Sequence, residues 1–133
     1  QAQRTLQRWQ ARAAELAARN RTDAEAVAIV DLAAAMPGAA ERLDELTRLD
    51  IAFHQAVAQA THNPLLLQIV RSFAPIMAIA VPAAWQTRTA VAGKETMLDR
   101  HGALARAIAA RDEAEALRSM NAHFDDAVGN LLQ

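Results

Sequence analysis

Apolar residues recur at intervals of three and four positions along almost the whole chain, which places them on one face of a helix. The sequence contains no strand-like alternation of apolar and polar residues and no internal repeat. The pattern predicts helices over residues 3–20, 22–36, 39–60, 64–85, 94–110 and 113–131. We therefore predict an all-α fold, an antiparallel bundle of about six helices, built by one domain that spans residues 1–133.

Two capping-box sequences predict where helices begin. Thr22 is followed three residues later by Glu25, and Asp112 by Glu115. In such a box the first side chain accepts a hydrogen bond from the backbone of the third residue after it, and the glutamate reaches back to the cap residue. We expect one helix to begin after Thr22 and the last helix to begin after Asp112.

Prolines predict the breaks between the remaining helices. Asn63 is a good cap, and Pro64 then takes the first helical position, where its missing N–H costs no hydrogen bond. Pro75 and Pro82 are expected to kink or interrupt the helix that follows. Residues 86–93 are small and polar, so we predict a loop there.

Composition limits the classes of protein that the chain can represent. A hydrophobic fraction of 53% excludes disorder, while a charged fraction of 22% is typical of a soluble protein. No apolar run approaches the roughly 18 residues needed to cross a bilayer. The absence of cysteine excludes disulfides and thiolate ligands, and a net charge of −1 disfavours nucleic-acid binding by the domain itself. We expect a cytoplasmic protein without membrane contact.

Four polar residues occupy positions where the helical pattern calls for core side chains. Asp50 and His54 lie one turn apart on the third predicted helix, His101 lies on the fifth, and His123 on the sixth. A buried carboxylate is costly, but that cost falls if all four side chains meet at one cation. Three imidazoles and one carboxylate suit zinc, nickel, cobalt or iron. The spacing alone leaves open the alternative of separate hydrogen bonds within the core.

The known metal-enzyme motifs of helical proteins are absent. No Glu-x-x-His precedes these histidines, and there is no His-Glu-x-x-His sequence. Asp99 and Asp126 lie near the histidines in sequence but fall off the apolar faces, so no general base is evident. A metal-dependent hydrolase or lyase on a helical bundle is the alternative function, and a purely structural bundle is a third interpretation.

The motifs around these residues resemble the FCD domain, the C-terminal effector-binding domain of FadR-type GntR transcriptional regulators. The central segment is similar to that family's D-x-x-F-H…N-P-L signature, and the end of the chain to its closing H…A-I…D…A…M-x-x-H pattern. The matching residues are Leu49-Asp50, Phe53-His54, Asn63-Pro64-Leu65, His101, Ala107-Ile108, Asp112, Ala116, Met120 and His123. The resemblance covers nearly the whole chain.

The resemblance implies a divalent metal ion, zinc or nickel by preference, that is held by four residues at the base of a central pocket. These are Asp50, His54, His101 and His123. It further implies that a small organic acid acts as effector by binding the open metal positions. A carboxylate effector also favours an arginine clamp, for which the chain offers three candidates, namely Arg71, Arg88 and Arg100.

The resemblance also implies a homodimer that binds DNA only through an N-terminal winged helix-turn-helix domain, which these 133 residues do not contain. We therefore expect a regulatory domain without enzyme activity, the sensor half of a longer regulator.

Two departures from the family's sequence pattern concern the residues expected near the effector. The family often has an arginine in the first helix where this chain reads Leu6 to Trp9-Gln10, and Arg100 stands where the family often has a glutamate.

Overall fold

The computed structural model describes residues 2–87 and 91–132, and these residues form an all-helical bundle without a strand. A short 3₁₀ helix covers Pro37–Ala39. The α-helices are α1 Ala2–Asn20, α2 Asp23–Ala35, α3 Leu43–Ala60, α4 Pro64–Ser72, α5 Ala74–Thr87, α6 Val91–Ala109 and α7 Glu113–Leu132. The all-α prediction is confirmed. The described chain has seven α-helices where about six were predicted, because the fourth predicted helix is divided in two.

The third helix begins later than predicted. The structure starts α3 at Leu43 and not at Ala39, because Pro37 opens a 3₁₀ turn in which the N–H of Ala39 donates to Met36 at 2.9 Å. Arg42 then adopts an extended conformation before α3 starts, with φ −118° and ψ 90°. The prediction placed Ala39 inside α3 because apolar spacing does not distinguish a tight turn from the first turn of a helix.

The division between α4 and α5 lies at Phe73, where the two helices bend by 54°. Pro75 has no N–H to donate to the carbonyl of Arg71, and its ring clashes with that carbonyl, so the ladder of backbone bonds stops there. Pro82 does not interrupt α5, which continues to Thr87. Residues 86–93 are not all loop as predicted, since α5 ends at Thr87 and α6 begins at Val91; residues 88–90 lie outside the described residues.

The predicted caps at Thr22 and Asn63 are confirmed. The Thr22 hydroxyl accepts from the N–H of Glu25 at 3.1 Å, and the Glu25 carboxylate accepts from the N–H of Thr22 at 2.9 Å. The Asn63 side chain accepts from Leu65 at 3.0 Å and from Leu66 at 3.3 Å. These bonds satisfy backbone donors that the first turn of a helix leaves free.

The second capping box forms only in part. The Asp112 carboxylate accepts from the N–H of Glu115 at 3.1 Å, as predicted. The N–H of Asp112, however, donates to the carbonyl of Ala107 at 3.0 Å, because Arg111 has φ 58° and closes the end of α6 by a left-handed turn. The N–H of Asp112 therefore bonds to the end of α6, and it does not donate to the Glu115 carboxylate as a full capping box requires.

Helix α3 lies at the centre of the bundle, and half of its 18 residues are buried. It packs against α1, α2, α4 and α5, while α1 runs antiparallel to α7. Gln7 donates to Asn121 near one end of the α1–α7 pair, and Arg19 donates to Glu113 near the other.

Helix α1 contributes mainly alanines to the core, and four of them have no exposed surface, namely Ala13, Ala14, Ala17 and Ala18. Such small side chains let neighbouring backbones approach closely.

No single helix of the described residues is both long enough and apolar enough to cross a membrane. Only α4 and α5 taken together reach that length and composition, and the 54° bend separates them.

The capping box of α2 yields a stability prediction. Substitution Thr22→Ala removes the acceptor for the N–H of Glu25, so we expect the free energy of unfolding to fall by about 1 kcal/mol. Substitution Thr22→Ser keeps the hydroxyl and should retain most of that stability. Urea denaturation of the three proteins measures the difference. Equal stability of the alanine and serine variants would show that the cap contributes nothing.

Candidate metal centre

Three helices bring Asp50, His54, His101 and His123 together in the core. Asp50 and His54 lie one turn apart on α3, His101 lies on α6 and His123 on α7. One donor atom from each residue lies within 4.8 Å of the donor atoms of the other three. The cluster therefore joins helices that are distant in sequence, and its donor atoms are close enough together to surround a single ion.

The carboxylate of Asp50 is the centre of this cluster. Its Oδ1 lies 3.2 Å from Nε2 of His54 and 3.0 Å from Nε2 of His101. Asp50 is almost completely buried, which by itself raises the pKa of a carboxylic acid. The charge of His101 and its hydrogen bond outweigh burial, together with the contribution of His54, and hold the pKa of Asp50 well below its usual range. Asp50 is thus a carboxylate at neutral pH.

The protonation of His101 is restricted by a backbone carbonyl. Its Nδ1 lies 2.9 Å from the carbonyl oxygen of Met97, one turn earlier on α6. A carbonyl can only accept a hydrogen bond, so Nδ1 carries a proton. In neutral His101, Nε2 then presents a lone pair toward the oxygen of Asp50. Those two lone pairs repel each other unless a proton or a metal cation lies between them.

One ring nitrogen of His54 has no partner among the described residues. Its Nδ1 is buried and finds no hydrogen-bond partner in the described part of the chain. Buried polar atoms are nearly always paired, because an unpaired one costs on the order of 1–3 kcal/mol. The unpaired nitrogen is available to a group other than the described protein atoms.

His123 closes the cluster on the side of α7. Its ring centre lies 4.4 Å from that of His101 and 5.2 Å from that of His54. Phe53 and Phe124 set their rings edge-on to these imidazoles, which limits the rotation of the rings. His123 is only half-buried, whereas the other three residues are buried, so access to the cluster is expected beside His123.

The donor set fits a divalent transition metal. Imidazole nitrogens and a carboxylate oxygen are the usual ligands of zinc and nickel, and cysteine is absent from the chain. The bond from His101 to the carbonyl of Met97 is the outer-shell contact that commonly orients a histidine toward a metal. If a metal is bound, Asp50, His54, His101 and His123 would hold it.

A comparison with protein families identifies the family of this chain. The family model of the FCD domain matches residues 10–126. The chain belongs to the FCD domain family. The family that the sequence motifs resemble is thereby confirmed, and membership makes this FCD domain a ligand-sensing regulatory domain and not an enzyme. The alternative of a metal-dependent hydrolase or lyase is therefore dropped.

A solved structure shares the fold. E. coli McbR/YncC matches with a TM-score of 0.82 at 17% sequence identity, and the match covers 98% of this chain. The same match covers 65% of McbR/YncC, so this chain spans a little under two thirds of its length. At this identity the likeness establishes the fold alone. A sequence search of curated proteins gave no match.

The three candidate arginines of this FCD domain differ in their helix and in their exposure to solvent. Arg71 is exposed on α4, Arg100 is half-buried on α6 beside His101, and Arg88 lies outside the described residues. Helical spacing assigns none of the three to the inner face of a helix. Their role toward an effector stays a prediction.

Sequence reasoning missed the outer contacts of the cluster. The carbonyl of Met97 fixes the proton of His101, yet any helical histidine follows some residue by four positions, so the sequence carries no specific signal. The unpaired Nδ1 of His54 depends on a side-chain rotation that spacing does not reveal. Phe124 was recognisable only as the neighbour of His123 on an apolar face.

The central position of Asp50 leads to a prediction about stability in the metal-free protein. Substitution Asp50→Ala removes the one acceptor that faces both Nε2 atoms, so we expect a loss of about 3 kcal/mol or more. Substitution Asp99→Ala, at an exposed aspartate of the same domain, should change stability by less than about 0.5 kcal/mol. Denaturation in the presence of a chelator measures both. Similar losses in the two variants would exclude a special role of Asp50.

Proposed function

We propose that this FCD domain senses a small organic acid at a divalent metal ion, and that it does so as part of a GntR-type transcriptional regulator. Asp50, His54, His101 and His123 are the proposed ligands of the metal. A divalent ion held by four protein ligands offers its remaining positions to oxygen atoms of the effector. The effector would reach the ion from the side of His123, the most exposed member of the cluster.

The observation that supports this proposal best is the shared oxygen of Asp50. Two Nε2 atoms lie 3.0 and 3.2 Å from it, and the bond of His101 to Met97 leaves Nε2 of a neutral ring without a proton to donate. A cation satisfies this arrangement without forcing a buried ring to become charged. The unpaired Nδ1 of His54 adds a second, separate indication.

Zinc or nickel is the proposed ion. Nitrogen donors outnumber oxygen donors by three to one in the cluster, which disfavours magnesium and calcium. Three imidazoles and one carboxylate satisfy zinc, and nickel accepts the same donors with additional oxygen ligands. A carboxylate or hydroxycarboxylate effector would supply such oxygens.

The regulatory part of the proposal concerns the longer protein. An N-terminal winged helix-turn-helix domain would bind DNA, and a homodimer of sensor domains would hold two such domains at one spacing. Binding of the effector would favour one arrangement of the bundle over another and so change that spacing. This role places the protein in the cytoplasm, where its DNA target is found.

The proposed metal site is tested by elemental analysis of protein purified without a His tag or chelator. We expect about one zinc or nickel ion per chain, and loss of the ion in the His101→Ala variant, because His101 supplies one of four donors. Substitution His62→Ala is the matched control. His62 is exposed and pairs with Glu25 at 2.7 Å, away from the cluster, so its removal should leave the metal content unchanged.

Two outcomes would contradict the metal site. One is wild-type protein that stays free of metal after incubation with zinc or nickel. The other is equal metal content in the His101→Ala and His62→Ala variants. In either case the four residues would be interpreted as a hydrogen-bonded core cluster, and membership of the FCD family would still hold.

The proposed arginine clamp is tested by titrating metal-loaded protein with a panel of small di- and tricarboxylates. We expect substitution to glutamine at Arg71, Arg88 or Arg100 to weaken binding by about tenfold or more at the residue that contacts the effector, equivalent to about 1.4 kcal/mol. Arg48→Gln is the control, because Arg48 is exposed and paired with Glu45 on α3. If all three variants bind like the control, the clamp is wrong and the metal alone anchors the acid.

A further inference from the structure

Helix α1 buries one polar side chain among alanines. Gln10 is 1% exposed, whereas the residues that α1 buries in the next two turns are alanines, such as Ala13, Ala14 and Ala17. The amide oxygen of Gln10, Oε1, is buried and has no hydrogen-bond partner among the described residues. Buried polar atoms are nearly always paired, because an unpaired one gives up the hydrogen bonds that water would make. Oε1 is therefore an acceptor that is available to a group other than the described protein atoms.

Contacts at one end of the bundle give the level of Gln10 along the bundle axis. Asn20, the last residue of α1, donates to the carbonyl of Thr61 at the end of α3, at 2.9 Å. Arg21 donates to the carbonyl of Ala109, the last residue of α6, at 2.6 Å. The three helices therefore end together. Gln10 precedes Asn20 by ten residues, which places it about 15 Å from this end at the rise of an α-helix.

The four residues of the candidate metal centre lie at the same level. Counted in the same way from the common end, Asp50 lies at about 16 Å, His54 at about 10 Å and His101 at about 12 Å. Helix α7 starts at that end, since Glu113 accepts a hydrogen bond from the last turn of α1. His123 then lies about 15 Å along α7. Gln10 is thus in the layer of the bundle that holds the cluster.

The inner side of α1 faces the helices that carry the cluster. Helix α1 packs against α7, α3 and α6, which supply all four cluster residues. Among the described residues, buried side-chain oxygen or nitrogen atoms without a hydrogen-bond partner occur only in Gln10 and His54. Both residues belong to this one layer. The unmet hydrogen-bonding capacity of the described core is therefore concentrated where the effector is proposed to bind.

We propose that Gln10 is a specificity-determining residue for the effector, and that its Oε1 accepts a hydrogen bond from a hydroxyl group of the bound acid. The domain then prefers a hydroxycarboxylate to the same acid without the hydroxyl. This inference rests on the proposed function, because the carboxylate of the acid binds at the metal while its hydroxyl meets Gln10.

The chemistry of an amide oxygen selects this class of acid. Oε1 can only accept a hydrogen bond, and an ionised carboxylate has no proton to donate to it. A hydroxyl group donates its one proton to Oε1 and keeps lone pairs for other partners. An ammonium group could donate as well, but its positive charge would lie close to a divalent cation and be repelled by it. A hydroxy acid therefore suits Gln10 better than a simple carboxylic acid or an amino acid.

A buried water molecule is the alternative partner of Oε1. Waters commonly satisfy buried polar atoms that the protein leaves unpaired. A water that stays in place would serve Gln10 equally well beside either kind of acid. It would give the domain no preference between two acids that differ by one hydroxyl, so that comparison separates the two partners.

The test is isothermal titration calorimetry of zinc- or nickel-loaded protein with malate and succinate, and with lactate, propionate and pyruvate. Malate differs from succinate by one hydroxyl, as lactate differs from propionate. For the pair that binds, we expect the hydroxy acid to have a dissociation constant lower by about tenfold. This comparison needs wild-type protein alone and does not depend on the folding of a variant.

Substitution Gln10→Leu removes the acceptor and keeps a side chain of similar size. We expect the hydroxy acid to bind this variant no better than its partner acid, whose own affinity should stay as in wild type. Gln59→Leu is the matched control, because it makes the same change at an exposed position near the end of α3 and should keep the preference. Without metal and acid, Gln10→Leu should melt no lower than wild type, since Oε1 has no described bond to lose. A purely structural role of Gln10 would lower that melting temperature.

Three results would overturn the inference. They are equal affinity of wild-type protein for the two acids of each pair, tighter binding of pyruvate than of lactate, and an undiminished preference for the hydroxy acid in Gln10→Leu. Each of them leaves the proposed function in place, because an acid still binds the metal-loaded domain. Failure of every acid to bind metal-loaded wild-type protein would instead overturn the proposed function, and this inference with it.

Discussion

The cluster depends on a single buried carboxylate. Asp50 lies at the centre of the bundle, where a charge is unfavourable unless several partners surround it. Histidines from α3 and α6 supply two of those partners, and His123 on α7 completes the group. The contacts of the Asp50 oxygen join α6 to α3, and His123 brings α7 to the same cluster. Apolar packing by residues such as Phe53 holds the helices together, but the carboxylate determines which side chains must face one another.

Much of this arrangement was predictable from sequence, for definite physical reasons. Helical spacing places apolar residues on one face, so the all-α fold and most helix limits followed from it. The caps at Thr22 and Asn63 were predictable because few side chains can satisfy a free backbone N–H. Asp50 and His101 stood out because ionisable groups on an apolar face need partners, and the structure places them 3.0 Å apart. Binding of a metal by the cluster stays a prediction.

Other features carry no adequate signal in the sequence. Along α5 nearly every residue is apolar, so the spacing has no phase and cannot tell the inner side from the outer. The structure leaves Ile79 77% exposed on the outer side of this helix. The half-formed capping box at Asp112 reflects competition for one N–H, which depends on how α6 ends at Arg111.

The alanine-lined packing of α1 has a mechanical consequence. Ala13, Ala14, Ala17 and Ala18 have no side-chain torsions that could rearrange, so a displacement of a neighbouring helix cannot be absorbed by changes of rotamer along this contact. Because α1 packs against α7, a shift of α7 at His123 is expected to displace α1 as a whole helix. In the proposed regulator, α1 would move as a rigid helix and would carry such a displacement toward the DNA-binding domain.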